Sequence, residues 1–190
     1  MRLTTKSFTL LAAAVAALTL SACGNKKDVI HEAETEGVYV DVGDLKYQVQ
    51  ISRQLNPAAI PQDKTFMSGI EPASAATLAP GEIPFAIFVR IENETDKPLK
   101  PATSFEITDT DGNTYTPVKQ GPVNPFAYTG DPVRPNNVAP DPDSIPAQVG
   151  SINGLELLFK IKRDSLNNRP LVLHIKSFFP DDESTVTLDV

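Results

Sequence analysis

Apolar and polar residues alternate with a period of two in five stretches of this chain. Leu45, Tyr47, Val49 and Ile51 alternate with Lys46, Gln48, Gln50 and Ser52. Phe85, Ile87, Val89 and Ile91 alternate with Ala86, Phe88, Arg90 and Glu92. Leu155, Leu157, Phe159 and Ile161 alternate with Glu156, Leu158, Lys160 and Lys162, and Leu171, Leu173 and Ile175 with Val172, His174 and Lys176. Val186, Leu188 and Val190 share one face of the last stretch, Ser184 to Val190. A shorter run with Phe105 and Ile107 meets Thr114–Val118 through Asp111-Gly112, a pair that takes up the positive φ of a tight hairpin. Period two puts successive side chains on opposite sheet faces, so each stretch predicts a strand. No stretch has the 3.6-residue period of an amphipathic helix; Arg163–Arg169 has room for one helical turn. The expectation is an all-β, antiparallel sandwich of about seven strands, each with one buried and one wet face.

Two segments break the pattern. Asn56–Pro80 is a long connection carrying Phe66, Met67 and Ile70. Pro117–Pro146 holds 8 of the chain's 17 prolines in 30 residues, with Phe126 and Tyr128 among them. Long connections without regular structure are uncommon inside a compact domain and often carry function.

The N-terminus has a different logic. Arg2 and Lys6 precede a 13-residue apolar run, Phe8–Leu20, which has the length of a signal-peptide core. It falls short of the roughly 20 residues that span a bilayer. Leu20-Ser21-Ala22-Cys23 resembles the lipobox of bacterial lipoproteins, in which the Cys thiol is alkylated with diacylglycerol and the preceding peptide bond is cut. That resemblance implies a cleaved signal peptide over residues 1–22, acyl chains (palmitate among them) on Cys23, and residence on the extracytoplasmic face of the cell membrane. Two or more acyl chains hold a protein on a bilayer far more firmly than one myristoyl group. Gly24–Gly37 is polar and lacks alternation. As a coil it spans roughly 20 Å, so residues 23–37 are expected to be the lipidated Cys and a flexible tether, and residues 38–190 the folded domain.

Cleavage leaves 168 residues with 15 cations against 24 acids, a net charge of −9. This balance argues against a nucleic-acid partner, which requires clustered Lys and Arg. With Cys23 acylated no thiol remains, so an exported domain must hold itself together by packing.

Catalytic motifs are missing. His31 lies in the expected tether and His174 on the polar side of a strand. The chain has no Gly-x-Ser-x-Gly, His-Glu-x-x-His or glycine-rich phosphate loop. Asp109, Asp111 and Asn113 sit two apart around Gly112, like the opening of a calcium loop, but the later bidentate Glu is missing. The same residues suit a tight turn. Phe126 and Tyr128 offer the sharper candidate. On a proline-stiffened loop they make a hot spot for a protein or polymer partner; folded inward, they cover an open sheet edge.

Two runs carry a further resemblance: Val89-Arg90-Ile91-Glu92-Asn93-Glu94-Thr95-Asp96-Lys97-Pro98-Leu99 and Phe105-Glu106-Ile107-Thr108-Asp109-Thr110-Asp111-Gly112-Asn113-Thr114-Tyr115. Together they resemble the strand–turn–strand core of an Ig-like domain family of uncharacterised function found in bacterial lipoproteins. Asn168–Ile175 is similar to members of actinobacterial type. The resemblance implies an Ig-like sandwich in the cell envelope and transfers no catalytic, cofactor or binding residue. The long Pro-rich insertion departs from the family's compact pattern. The expected function is a membrane-anchored, non-enzymatic module that engages an envelope protein or polymer and needs no cofactor. The alternatives are a small-ligand or calcium-binding envelope protein, and an enzyme with an unrecognised carboxylate site.

Overall fold

The alternating stretches become strands that pair into two sheets in the computed structural model, which describes residues 29–148, 152–178 and 182–190. The lipobox and Cys23 lie outside the described residues. The strands are β1 (Glu32–Ala33), β2 (Tyr39–Val42), β3 (Leu45–Gln54), β4 (Glu82–Asn93), β5 (Ser104–Thr108), β6 (Thr114–Tyr115), β7 (Asn137–Ala139), β8 (Leu155–Lys162), β9 (Leu171–Lys176) and β10 (Glu183–Leu188). Helices α1 (Pro61–Phe66) and α2 (Ile145–Gln148) and two 3₁₀ turns, Ala73–Ala76 and Arg163–Leu166, lie in the connections. One sheet runs β1-β10-β9-β5-β6. The other runs β2-β3-β4, and the far edge of β4 is shared between β8, along Glu82–Val89, and β7, along Ile91–Asn93. All pairs are antiparallel except β1 with β10.

The two sheets pack face to face as a β-sandwich. Val49, Phe85, Ile87, Val89, Phe159 and Ile161 of one sheet meet Ile107, Leu171, Leu173, Ile175 and Val186 of the other in one buried cluster. These are residues the alternation assigns to the inner face. The strands beyond the expected seven are β1, β2 and β7, two to four residues long. Such lengths are too short to leave a period.

Three expectations are corrected. First, Ile51 does not continue the Leu45–Val49 face. A register shift between Val49 and Ile51 sets Val49 opposite Val89 but Ile51 opposite Phe88. A one-residue bulge moves everything after it to the other face. Ile51 therefore packs outward with Phe88, and Ser52 turns inward to hydrogen-bond Glu36.

Second, the outer face of β4 and β8 is not wet. Ala86, Phe88 and Leu158 are buried with Leu55, Phe66 and Phe126 in a second apolar cluster. Phe66 stands edge-on to Phe88 at 4.9 Å and to Phe126 at 5.0 Å between ring centroids.

Third, the expected tether ends sooner. Asp41 receives the Ile30 amide on Oδ2 (2.9 Å) and donates its own amide to the Ile30 carbonyl (2.7 Å). β1 pairs with β10, His31 hydrogen-bonds Ser184 at 3.0 Å, and Glu36 accepts the amides of Ser52 and Asp189. Residues 30–37 are thus part of the sandwich, and the part of the expected tether outside the described residues is Gly24–Asp28.

Polar ties pin the loops to the core. Asn93, fully buried, donates to the carbonyls of Lys97 (2.7 Å) and Val133 (3.0 Å), joining the Asp96-Lys97-Pro98 turn to the Pro-rich segment. Tyr47 accepts the Ala102 amide at 2.6 Å inside the core, and burial pushes its phenol up to about 12. A Tyr47→Phe variant leaves that amide buried and unpaired. It is expected to cost about 1–3 kcal/mol in a urea melt with an unchanged slope.

Candidate functional site

The Pro-rich segment reaches both sheets. Val118 donates its amide to the Leu158 carbonyl (2.6 Å), Glu156 to Phe126 (2.6 Å) and Tyr128 to Glu156 (2.9 Å), so the segment lies along the free edge of β8. It is also tied to the chain after α1. Gly121 donates to the Gly69 carbonyl at 2.7 Å, and Gln120 donates from its side chain to the carbonyls of Phe66 (2.7 Å) and Ser68 (3.0 Å). Gly69 has φ +69°, and a Cβ there would stand 2.9 Å from the Gly121 carbonyl oxygen. Only glycine suits that approach.

This course decides the fate of the two predicted aromatics. Phe126 is 4% exposed, packed against Phe66 in the second cluster. Tyr128 is half-buried, edge-on to Phe105 at 5.0 Å, and its hydroxyl donates to the Ala102 carbonyl. Burial raises its phenol well above the ordinary value. The reading of Phe126 and Tyr128 as an exposed pair is therefore corrected: Phe126 covers the apolar outer face of β4 and β8, which must be shielded from water, while Tyr128 packs partly buried against the inter-sheet core beside the cleft.

The calcium-like hairpin also resolves into a turn. Asp109 accepts the amides of Asp111 (3.1 Å) and Asn113 (2.9 Å) on Oδ1 and the Asn113 side chain (2.8 Å) on Oδ2. Asp111 accepts from Asn168 at 2.8 Å and Asn113 from Lys162 at 2.9 Å. Burial alone would raise the Asp109 carboxyl, but hydrogen bonds from Ser165, Asn113 and Asn168 outweigh it and hold the group at about 2. Asp109 is thus spent on holding its own turn, and among the described residues no group of three His, Cys, Asp or Glu side chains is placed to hold a metal ion.

A cleft of about 610 Å³ opens between the Pro-rich segment and β5, lined in part by Thr103, Phe105, Val118, Gln120, Tyr128 and Glu156. Two features define it. One is backbone: β6 pairs only with Ile107 and Thr108, so Ser104–Glu106 have β9 on one side and, among the described residues, no strand on the other. Beyond Tyr115 the chain leaves β5 to reach β8, which opens the gap.

The other feature is Glu156. It sits on the outer face of β8 beside Leu158, 1% exposed. Asn124 donates to its Oε2 at 2.8 Å, while Oε1 has no hydrogen-bond partner. Burial drives its carboxyl up to about 8; the Asn124 hydrogen bond and the charge of Arg53 pull the other way, and Asp63 adds to the rise. Arg53 itself is engaged by the fully buried Asp63, which also accepts the Asn56 amide at 2.6 Å, and lies over the Phe66 ring at 5.7 Å. Burial thus holds the Glu156 proton well above the usual carboxylate range, and a shifted carboxyl bordering a cleft is a candidate site. Sequence reasoning misses it because Glu156 reads as an ordinary outward residue. The available signal is Leu158 two positions on, which shows that the face is not polar.

No protein-family model and no curated protein matches the chain. Two solved structures are similar to it. One is an uncharacterised β-sandwich protein from Clostridium difficile 630, at 10% identity and TM-score 0.45, covering 87% of this chain and 99% of that one. The other is a conserved hypothetical protein from Bacillus anthracis, at 10% identity and TM-score 0.45, covering 80% and 94%.

Proposed function

We propose that the chain is a lipid-anchored extracytoplasmic lipoprotein of the Ig-like type whose domain is a non-enzymatic interaction module, holding an extended segment of an envelope protein in the cleft beside β5. The observation that carries this reading is the open edge of Ser104–Glu106 facing a 610 Å³ cleft. An extended peptide adds to such an edge through main-chain hydrogen bonds, and side-chain pockets then select it. The prolines of the facing segment have no N–H to give and leave the edge unsealed. Lys119 and Glu71, paired at 3.5 Å on the rim, supply exposed charge of both signs.

Photo-crosslinking in the producing cell tests this. A photoreactive residue at Lys119 is expected to capture one envelope protein. A Thr103→Trp variant, which fills the cleft from an exposed position, is expected to lose that product while keeping its melting temperature. Equal capture with and without the tryptophan sinks the cleft as the site.

A second reading has one observation of its own. Glu156 is among the residues lining the cleft and its Oε1 is buried without a partner, a combination that suits a small hydrogen-bonding ligand.

A further inference from the structure

We infer that the end of the sandwich carrying Phe178 rests on the bilayer that holds the acyl chains of Cys23, with Phe178, Val29 and Ile30 as its apolar contact. This rests on the reading of Cys23 as the lipidated residue and goes beyond it, by fixing which end of the domain meets the membrane.

The argument begins with exposure. Phe178 is 64% exposed, Val29 62% and Ile30 41%, among the few large apolar side chains left in water. They belong to one end of the fold. β1 runs parallel to β10 with Glu32 opposite Thr185, so the chain leading into β1 starts level with the beginning of β10. There Ser177 donates its amide to the Asp182 carbonyl at 2.9 Å, closing the β9–β10 connection that bears Phe178. Ile30 bonds Asp41, and Gly43, two residues on, lies against Asp182 and Ser177. Phe178, Val42, Gly43, Leu99 and Lys100 line one shallow hollow at this end.

Reach supplies the occupant. Val29 is six residues after Cys23. Even fully extended, that stretch spans at most about 20 Å, and as a coil roughly 13 Å. Acyl chains on Cys23 therefore hold this end of the domain, and no other, within a short distance of the lipid surface. An aromatic at that level sits well at the boundary of headgroups and acyl chains.

Charge specifies the mode. Asp41, Asp44, Asp182 and Glu183 at this end outnumber Lys46 and Lys100, and Lys26 and Lys27 stand in the short stretch between Cys23 and Val29. The domain's acidic groups gain nothing from anionic headgroups, so its own contact is apolar and forms on neutral lipid, while Lys26 and Lys27 add a weak attraction where the lipid is anionic. The Asp109–Asn113 hairpin then lies at the far end, because Thr108 pairs with Val172 at the start of β9 while Ser104 pairs with Lys176 at its finish.

The chain has no tryptophan, so one introduced residue reports alone. The full lipoprotein carrying Phe178→Trp would be purified from membranes and reconstituted into phosphatidylcholine vesicles with brominated acyl chains. Its emission is expected to be blue-shifted and quenched, while Thr110→Trp in the far hairpin stays water-like and unquenched. If Phe178→Trp is quenched no more than Thr110→Trp, in protein whose intact mass includes the acyl groups, the apposition is overturned and the anchor stands. An intact mass without acyl groups overturns the anchor and the apposition together.

Discussion

Raising the pH from about 4.5 to about 8 is expected to destabilise the folded domain, and Glu156→Gln is expected to abolish most of that loss. In water a Glu releases its proton near 4.5, whereas in the fold Glu156 keeps it up to about 8. Below 4.5 both states hold the proton and the full contribution is present. Between the two values the unfolded chain binds fewer protons than the native one, so stability falls as pH rises, until the native carboxyl also ionises. At about 1.4 kcal/mol per pH unit the window amounts to roughly 4–5 kcal/mol. A glutamine imitates the neutral acid: it keeps the Asn124 hydrogen bond and never has to bury a charge. The variant should therefore be flat across the window and more stable than the natural chain at pH 8. Asp109 works in the other direction. Its carboxyl is held at about 2, so its contribution is present above the ordinary 3.8 and is lost as pH falls toward 2. Stability should accordingly peak on the acid side, near pH 4–5. Urea melts across this range, run in parallel on both proteins, decide the matter. Parallel profiles would show that another group carries the dependence.

Phe66→Ala is expected to cost about 3–5 kcal/mol, a loss on the scale of emptying a core phenylalanine site. For a domain of this size that lowers the melting temperature by roughly 10 °C. Phe66 is fully buried between Phe88 of β4 and Phe126 of the Pro-rich segment, with Arg53 over its ring. Removing it opens a cavity and also detaches the strap that covers β8. Hydrogen exchange should then find the Val118 and Tyr128 amides, which bond to Leu158 and Glu156, losing protection before the amides between β9 and β10. A Val123→Ala control, on the exposed part of the same segment, should stay within about 0.5 kcal/mol of the natural chain. A cost below about 1 kcal/mol for Phe66→Ala would mean that the second cluster is not a core.

The strands of the sandwich are legible because a half-buried strand writes its burial into every second residue. Phe85, Ile87 and Val89 face the core as the alternation requires, and Asp109–Asn113 makes the turn that its side chains favour. Legibility stops where burial is imposed by a distant segment. Ala86, Phe88 and Leu158 read as a wet face, and it is α1 and the Pro-rich segment, remote in sequence, that cover them. The Val49–Ile51 bulge has no local mark, so Ile51 is assigned to the wrong side. A two-residue strand such as β1 carries no period, and the chain around it reads as tether.

The candidate site belongs to this second kind of information. Glu156 is an ordinary strand carboxylate until the segment carrying Asn124 and Phe126 folds along β8. Burial by that strap then raises its proton affinity and leaves one oxygen unmatched. The open edge of β5 is equally a tertiary fact, because it exists only where the chain after Tyr115 leaves β5 for β8. The amino-acid sequence by itself determines the strands, their inner faces and the far hairpin, because alternation and turn chemistry are local. Tertiary structure alone decides which outer face is dry, where the polar groups are buried and which edge stays open, because each depends on contacts between residues far apart in the chain.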